Sequence, residues 1–550
     1  MKPRHSAWLP LLFLVLALSA CGGLNESPLA GTGNVSVALT DAPSYAFDNV
    51  WVTVRAVWFH KVDTAPFDPT ASGWVRFTLG NGVTVNLAAL TGDSNVVTVF
   101  DNLALRAGTY RQMLLLLEPT ENGRTVSANA AGLRFNNQVD AGTLRAALRV
   151  PNAAQGIRIA GQFVIAEGAL LRLAIDFNVG RDVLPFDRGT VHEFLLQPRP
   201  VAFDLGNAGA IVGFIDTAAA GDSAALFEVL AEQIDTTLGG HVVRRAAAVD
   251  NATGRFVLYP LVPGTTAGQL YDIVIRGIGW QTAIVKSVPV TAGTTPGSGA
   301  TILGTAAKPI PLTPAVLPDF RVAATISATS GALATFYQIL GTDSPYVIRQ
   351  TNFNPLSGTI ADFPLSSALL NVDPFDPATY NGGTIVLSEQ SPTPTIGNYL
   401  LVAESPLYDP SAPPAGGAPV DPSSIFSPVA ITGLAPTAPA VSTKINVTAT
   451  VPVSVVPMDN VVLFATFGGT ILNALPLGNV PAATKLTNAV LNIPGGQSGS
   501  TFSLAFYGVS AYGWRTSIDN VLKIGVPVPL ARPQTGDASV AFTIQNFPDP

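Results

Sequence analysis

Asn49-Val50-Trp51-Val52-Thr53-Val54-Arg55-Ala56-Val57-Trp58-Phe59-His60-Lys61-Val62 is the stretch that decides the fold class. β-Branched and aromatic residues dominate it, which suits a pleated surface better than a helix. With a period of two, Val50, Val52, Val54, Ala56 and Trp58 share one face. Trp51, Thr53, Arg55, Val57 and Phe59 share the other. Both faces are largely apolar, which predicts a central strand covered on two sides. The pattern recurs outward. Val35, Val37 and Leu39 alternate with polar residues before an Asp41-Ala42-Pro43 turn. Met113–Leu117 is an apolar run, and Leu171, Leu173, Ile175 and Phe177 alternate with Arg172, Ala174 and Asp176. Thr448–Val456, Asn460–Phe467 and Phe502–Val509 carry the same chemistry. Helical periodicity is weak. Ser223–Gln233 is the best helix candidate, and it also reads as a strand.

The 550 residues suggest three to four domains. Only 12% are charged, against about 25% in ordinary soluble domains. With 47% hydrophobic residues and a mean hydropathy of +0.37, wholesale disorder is excluded. A net charge of −7 and a pI of 5.1 oppose binding to a phosphate backbone, so no nucleic-acid partner is expected. The sequence names no ligand or substrate.

Lys2, Arg4 and His5 precede a mostly apolar stretch, Leu9–Ala20, too short to span a bilayer. A secretory signal fits it. Leu18-Ser19-Ala20-Cys21-Gly22 resembles a bacterial lipobox, with small residues before the cut and a thiol after it. That resemblance implies a signal peptide over residues 1–20, lipidation at Cys21 and a flexible tether over 21–32. Gly22, where an Asp would retain such a lipoprotein at the inner membrane, implies the outer membrane, on its periplasmic or exposed side. Cys21 is the only cysteine, so the mature chain has neither disulfide nor free thiol. Losing residues 1–20 would take the net charge to −9, since they carry two basic and no acidic groups.

Val35-Ser36-Val37-Ala38-Leu39-Thr40-Asp41-Ala42-Pro43 opens a longer pattern. Gly73-Trp74, Asn86–Thr91, Ala107–Gln112, Leu171–Phe177 and Gln197-Pro198 follow in order. Residues 33–205 thereby resemble the DUF4382 domain of bacterial lipoproteins, a family without an assigned activity. Residues 208–306 are similar to carboxypeptidase-regulatory-like (transthyretin-like) β-sandwiches. The residues that carry this are Asn251–Leu258, Leu261-Val262-Pro263-Gly264, Tyr271–Ile275 and Val288–Gly293. An insert at 263–269 departs from that pattern. Such domains imply spacers or recognition modules without catalytic residues of their own.

Residues 307–403 form a further β domain of no recognised family. Residues 404–439 hold nine prolines and read as a linker; 440–550 read as a C-terminal β-sandwich. The fold class is all-β: serial β-sandwich domains behind a lipoprotein signal peptide. Charge falls to about 8% over residues 301–550.

Catalytic chemistry is sparse. His60, His192 and His241 are the mature chain's histidines, so no Ser-His-Asp or Cys-His site can form within the last 300 residues. Asp373 and Asp376, and Asp63 and Asp68, sit in Pro-Phe-Asp-Pro loops and are weak Ca2+ candidates, with turn capping the simpler role. Trp51, Trp58 and Trp74 are possible sugar platforms or core. Tyr512 and Trp514, in a Gly-flanked segment read as a turn, are the candidate ligand-binding aromatics. Gly495–Ser500 reads as a flexible tip. No cofactor and no catalytic residue are expected. The leading expectation is a non-catalytic, outer-membrane-anchored recognition module for an envelope glycan or protein. The alternatives are a structural spacer or surface-layer component, and an acid-pair glycoside-active enzyme.

Overall fold

The computed structural model of the chain describes residues 31–546, apart from stretches of which the longer are 187–191, 217–226, 375–384, 393–398, 421–427, 437–441, 451–457, 495–506, 515–522 and 530–537. Cys21, Asp68, Asp376 and Gly495–Ser500 lie outside the described residues. Strands make up 62% of the structure and helix 5%, arranged in several sheets.

The strand Asn49–His60 is central, as its two apolar faces require. Val75–Asn86 pairs along one edge. Gly108–Leu117 and Gln138–Ala141 share the opposite edge. A register shift between Val54 and Ala56 alters the simple alternation. A β-bulge there advances the phase by one residue. Val50, Val52 and Val54 therefore share the main core with Val57 and Phe59. Ala56 and Trp58 turn to the other face and pack with Trp74, Leu114 and Leu116. The facing sheet is built on Thr32–Ala42, parallel to Leu170–Asn178 and antiparallel to Val97–Arg106. Val35, Val37, Leu39, Leu173 and Ile175 from this sheet close the sandwich over the same core.

Gly209–Phe214 opens the second unit, between Arg255–Leu261 and Thr301–Leu303. Its partner sheet contains Phe227–Asp235, paired with Gly240–Ala248 and Tyr271–Gly277. The helix candidate at Ser223–Gln233 is thus a strand over its described part. Phe227, Val229 and Ala231 point into the second unit's core, whereas Leu230 points into the next. Apolar residues on both faces erase the alternation that would have marked a strand.

That sheet does not stop at residue 306. Thr282–Val288 pairs in parallel with Leu370–Pro374, which pairs with Ser388–Gln390. Leu230, Ala246, Val274 and Ile284 also share one core with Phe320, Val322, Phe336 and Ile348. The second and third units are therefore joined by a sheet and a core. Described parts of the Pro-rich stretch 404–439 likewise belong to the sheets. Ala418–Val420 pairs with Tyr399–Glu404, and Val429–Leu434 runs parallel to Phe320–Ile326. Both added strands sit at sheet edges, where a proline such as Pro419 leaves no ladder donor missing inside the sheet.

The C-terminal unit is a seven-stranded arrangement in which Tyr507–Trp514 lies between Met458–Phe467 and Lys523–Pro529. It returns to the first unit. Leu184, Phe186 and Leu195 pack with Val462, Phe464, Ile471 and Tyr512.

Candidate functional site

Of the aromatic candidates, Trp58, Trp74 and Tyr512 are buried and Trp51 is half-buried, while the Trp514 side chain lies outside the described residues. Tyr512 belongs to a strand, not a turn, and is 2% exposed. It meets Phe464 edge-on at 5.5 Å and faces the first unit, so it is no ligand platform. Strand pairing on both sides carries the flanking Gly513 through without a turn. Trp514 ends the same strand opposite Asn460. Trp58 and Trp74 are buried, with Trp58 stacked on Phe67 at 5.3 Å and Arg76 over its ring at 5.0 Å. Trp51 is half-buried and donates its indole N–H to Asp140 Oδ2 at 3.1 Å.

Asp373 and Asp41 accept backbone N–H groups. Asp373 Oδ2 accepts the Val386 N–H at 2.8 Å. Asp41 is 1% exposed, and its Oδ1 accepts the Val179 N–H at 2.9 Å. Burial pushes its carboxyl well above the usual range, opposed by that N–H and by Arg245. Asp176 is 8% exposed and pairs with Arg245 from the second unit. Among the described residues no group of three or more His, Cys, Asp or Glu side chains is placed to hold a metal.

What the fold does bring together is a junction of buried charge between units. Arg245, on Gly240–Ala248, is 2% exposed. Besides its ion pair with Asp176, its Nη2 donates to Thr40 Oγ1 and to the Asp41 carbonyl, each at 2.8 Å. Nearby, His241 stacks on Tyr346 at 4.1 Å. Its Nδ1 lies 3.1 Å from the Pro345 carbonyl and its Nε2 3.0 Å from Asp272 Oδ2. Glu232, fully buried, accepts the Val347 N–H at 3.0 Å, and burial pushes its carboxyl well up. These contacts tie the second unit to the third. The first unit reaches the third through Gln197 Nε2 and Arg199 Nη2, which donate to the Gly331 carbonyl at 2.5 and 3.1 Å. It reaches the last unit through the Pro198 carbonyl, which accepts from Thr470 Oγ1 at 2.7 Å.

Sequence reading passed over Arg245. The only hint is strand alternation, which puts one of the adjacent Arg244 and Arg245 on the inward face. Which one, and what it meets 205 residues earlier at Thr40, is a tertiary matter.

A cavity of about 230 Å3 opens where the first three units meet. Arg181, Arg276 and Arg349 contribute to its wall, with Glu228 and the apolar Phe227, Ile278 and Phe363.

Comparison with known proteins adds a partial assignment. A DUF4382 domain, described as a domain of unknown function, is found at residues 32–198. No curated protein matches the chain. Among solved structures, the Bacillus anthracis TIE protein is 8% identical, covering 98% of this chain and 78% of its own, with a TM-score of 0.14. The shaft pilin spaA from Lactobacillus rhamnosus GG is 10% identical over 42% of this chain and 98% of its own, with a TM-score of 0.15. The major pilin SpaA of Corynebacterium diphtheriae is 11% identical over 73% and 99%, with a TM-score of 0.12. At such scores these likenesses carry no functional argument.

Proposed function

We propose that this chain is a lipid-anchored, non-catalytic module of the bacterial outer membrane whose β-domains act as one stiff structural body. The observation that carries the reading is the set of buried side chains joining separate units. Arg245 reaches Asp176, Glu232 reaches Val347, Gln197 reaches Gly331 and Thr470 reaches Pro198. Domains that hinge freely are joined by exposed linkers with few crossing contacts. Here a sheet and a core cross the second boundary. Of the two non-catalytic readings, a structural element is favoured over an aromatic recognition surface, because Trp58, Trp74 and Tyr512 are spent on packing. The anchor rests on the Leu18–Gly22 motif.

Two measurements test the two halves. Small-angle scattering of the soluble body, begun after residue 21, is expected to fit one conformer. A profile that needs a broad ensemble of domain orientations refutes the structural role. Cys21→Ala in the full chain is expected to lose acylation and move from the membrane fraction to the soluble one. Equal retention of variant and wild type refutes the anchor.

A further inference from the structure

We infer that the cavity between the first three units is a binding site for a small organic acid, with its carboxylate held by Arg276 and Arg349. The charges at the wall do not balance. Arg181 is neutralised by Asp182, which accepts from its Nε at 2.7 Å and its Nη2 at 3.2 Å. Arg276 forms an ion pair with Glu228, yet its buried Nε has no hydrogen-bond partner. Arg349 donates to the Pro364 carbonyl and lies over the Phe363 ring at 4.3 Å, with no carboxylate in ion-pair contact among the described residues. Asp319 and Arg321 are the further charges that act on it, with opposite sign. The wall therefore carries guanidinium donors in excess of carboxylate acceptors.

The Arg349 guanidinium also disfavours the charge on Arg276. Burial and then the neighbouring Arg349 hold Arg276 well below the usual arginine range. Burial brings Arg349 down to about 10. An anion in the cavity they line offsets that repulsion, and planar forks suit a carboxylate. Size and lining narrow the class. The volume is below the ~300–1,000 Å3 of sites for drug-sized ligands, so a glycan chain does not fit but a small acid does. Ile278 and Phe363 offer an apolar surface for its body.

Calorimetric titration of the intact body with benzoate, benzamide and inorganic phosphate at constant ionic strength tests this. Saturable binding of benzoate is expected, with benzamide, its neutral counterpart, silent and phosphate weaker. Arg349→Gln is expected to weaken benzoate by about 10- to 100-fold, the loss of one charge-assisted contact. Glu228→Gln is expected to tighten it, because the competing carboxylate is gone. No benzoate binding, equal binding of benzamide, or phosphate at least as tight as benzoate overturns the inference using wild-type protein alone. So does a Glu228→Gln protein that binds no better than wild type.

Discussion

Arg245→Met cuts the tie between the first and second units while keeping much of the side chain's length. In the wild-type protein Arg245 is 2% exposed and Asp176 is 8% exposed. Truncating the guanidinium leaves Asp176 as a buried carboxylate without its cation, and Thr40 and the Asp41 carbonyl without a donor. Removing one partner of a buried pair costs about 3–5 kcal/mol. A unit of roughly 150–250 residues loses about 2–4 °C per kcal/mol, so the first calorimetric transition is expected to fall by about 6–20 °C. The double variant Arg245→Met/Asp176→Asn is the control. With the Asp176 charge removed along with its cation, it is expected to be more stable than Arg245→Met alone. Differential scanning calorimetry reads both. A drop below about 2 °C for the single variant, or a double variant no better than the single one, refutes the claim that this pair locks the units.

Three further outcomes are expected. Glu232→Gln keeps an acceptor for the Val347 N–H but cannot ionise. Glu232 has a folded pKa raised by burial, so its favourable contribution is present at low pH and is lost as pH rises through that raised value. The variant is therefore expected to be more stable than wild type at about pH 8, with the difference shrinking towards about pH 4, in urea midpoints measured across that range. Gly331→Ala would push a methyl group against the Ile471 carbonyl oxygen, and is expected to lower the urea midpoint by an amount equivalent to about 1–3 kcal/mol. Arg149 donates to Glu193 at 3.0 and 2.6 Å in a nearly dry setting. Arg149→Met is expected to cost about 3–5 kcal/mol, most of it recovered in Arg149→Met/Glu193→Leu, by chemical denaturation.

The strands were legible where chemistry alternates along the chain. Thr32–Ala42, Asn49–His60 and Leu170–Asn178 fall where the alternation puts them. Legibility failed where both faces are covered. Phe227–Asp235 has a core on each side, so its periodicity fits a helix as well. It failed again where proline suggested a linker, because a proline at a sheet edge is compatible with pairing. The glycine between Tyr512 and Trp514 reads as a turn, yet neighbours on both sides pair with the segment as a strand.

Taken by itself, the sequence determines that this is an all-β chain, because period-two patterning and β-branched composition are properties of neighbouring residues. It also carries the DUF4382 pattern at its first domain and the Cys21 motif on which the proposed anchor rests. Only the tertiary structure decides which way Trp58 and Tyr512 face, where one unit ends and the next begins, and which arginines are paired. The bulge after Val54 rotates Trp58 out of the main core, and the sheet runs on from Thr282–Val288 to Leu370–Pro374. Arg245 finds Asp176, whereas Arg349, among the described residues, finds a carbonyl and a ring. Those outcomes depend on contacts between residues tens to hundreds of positions apart, and no local pattern encodes the partner.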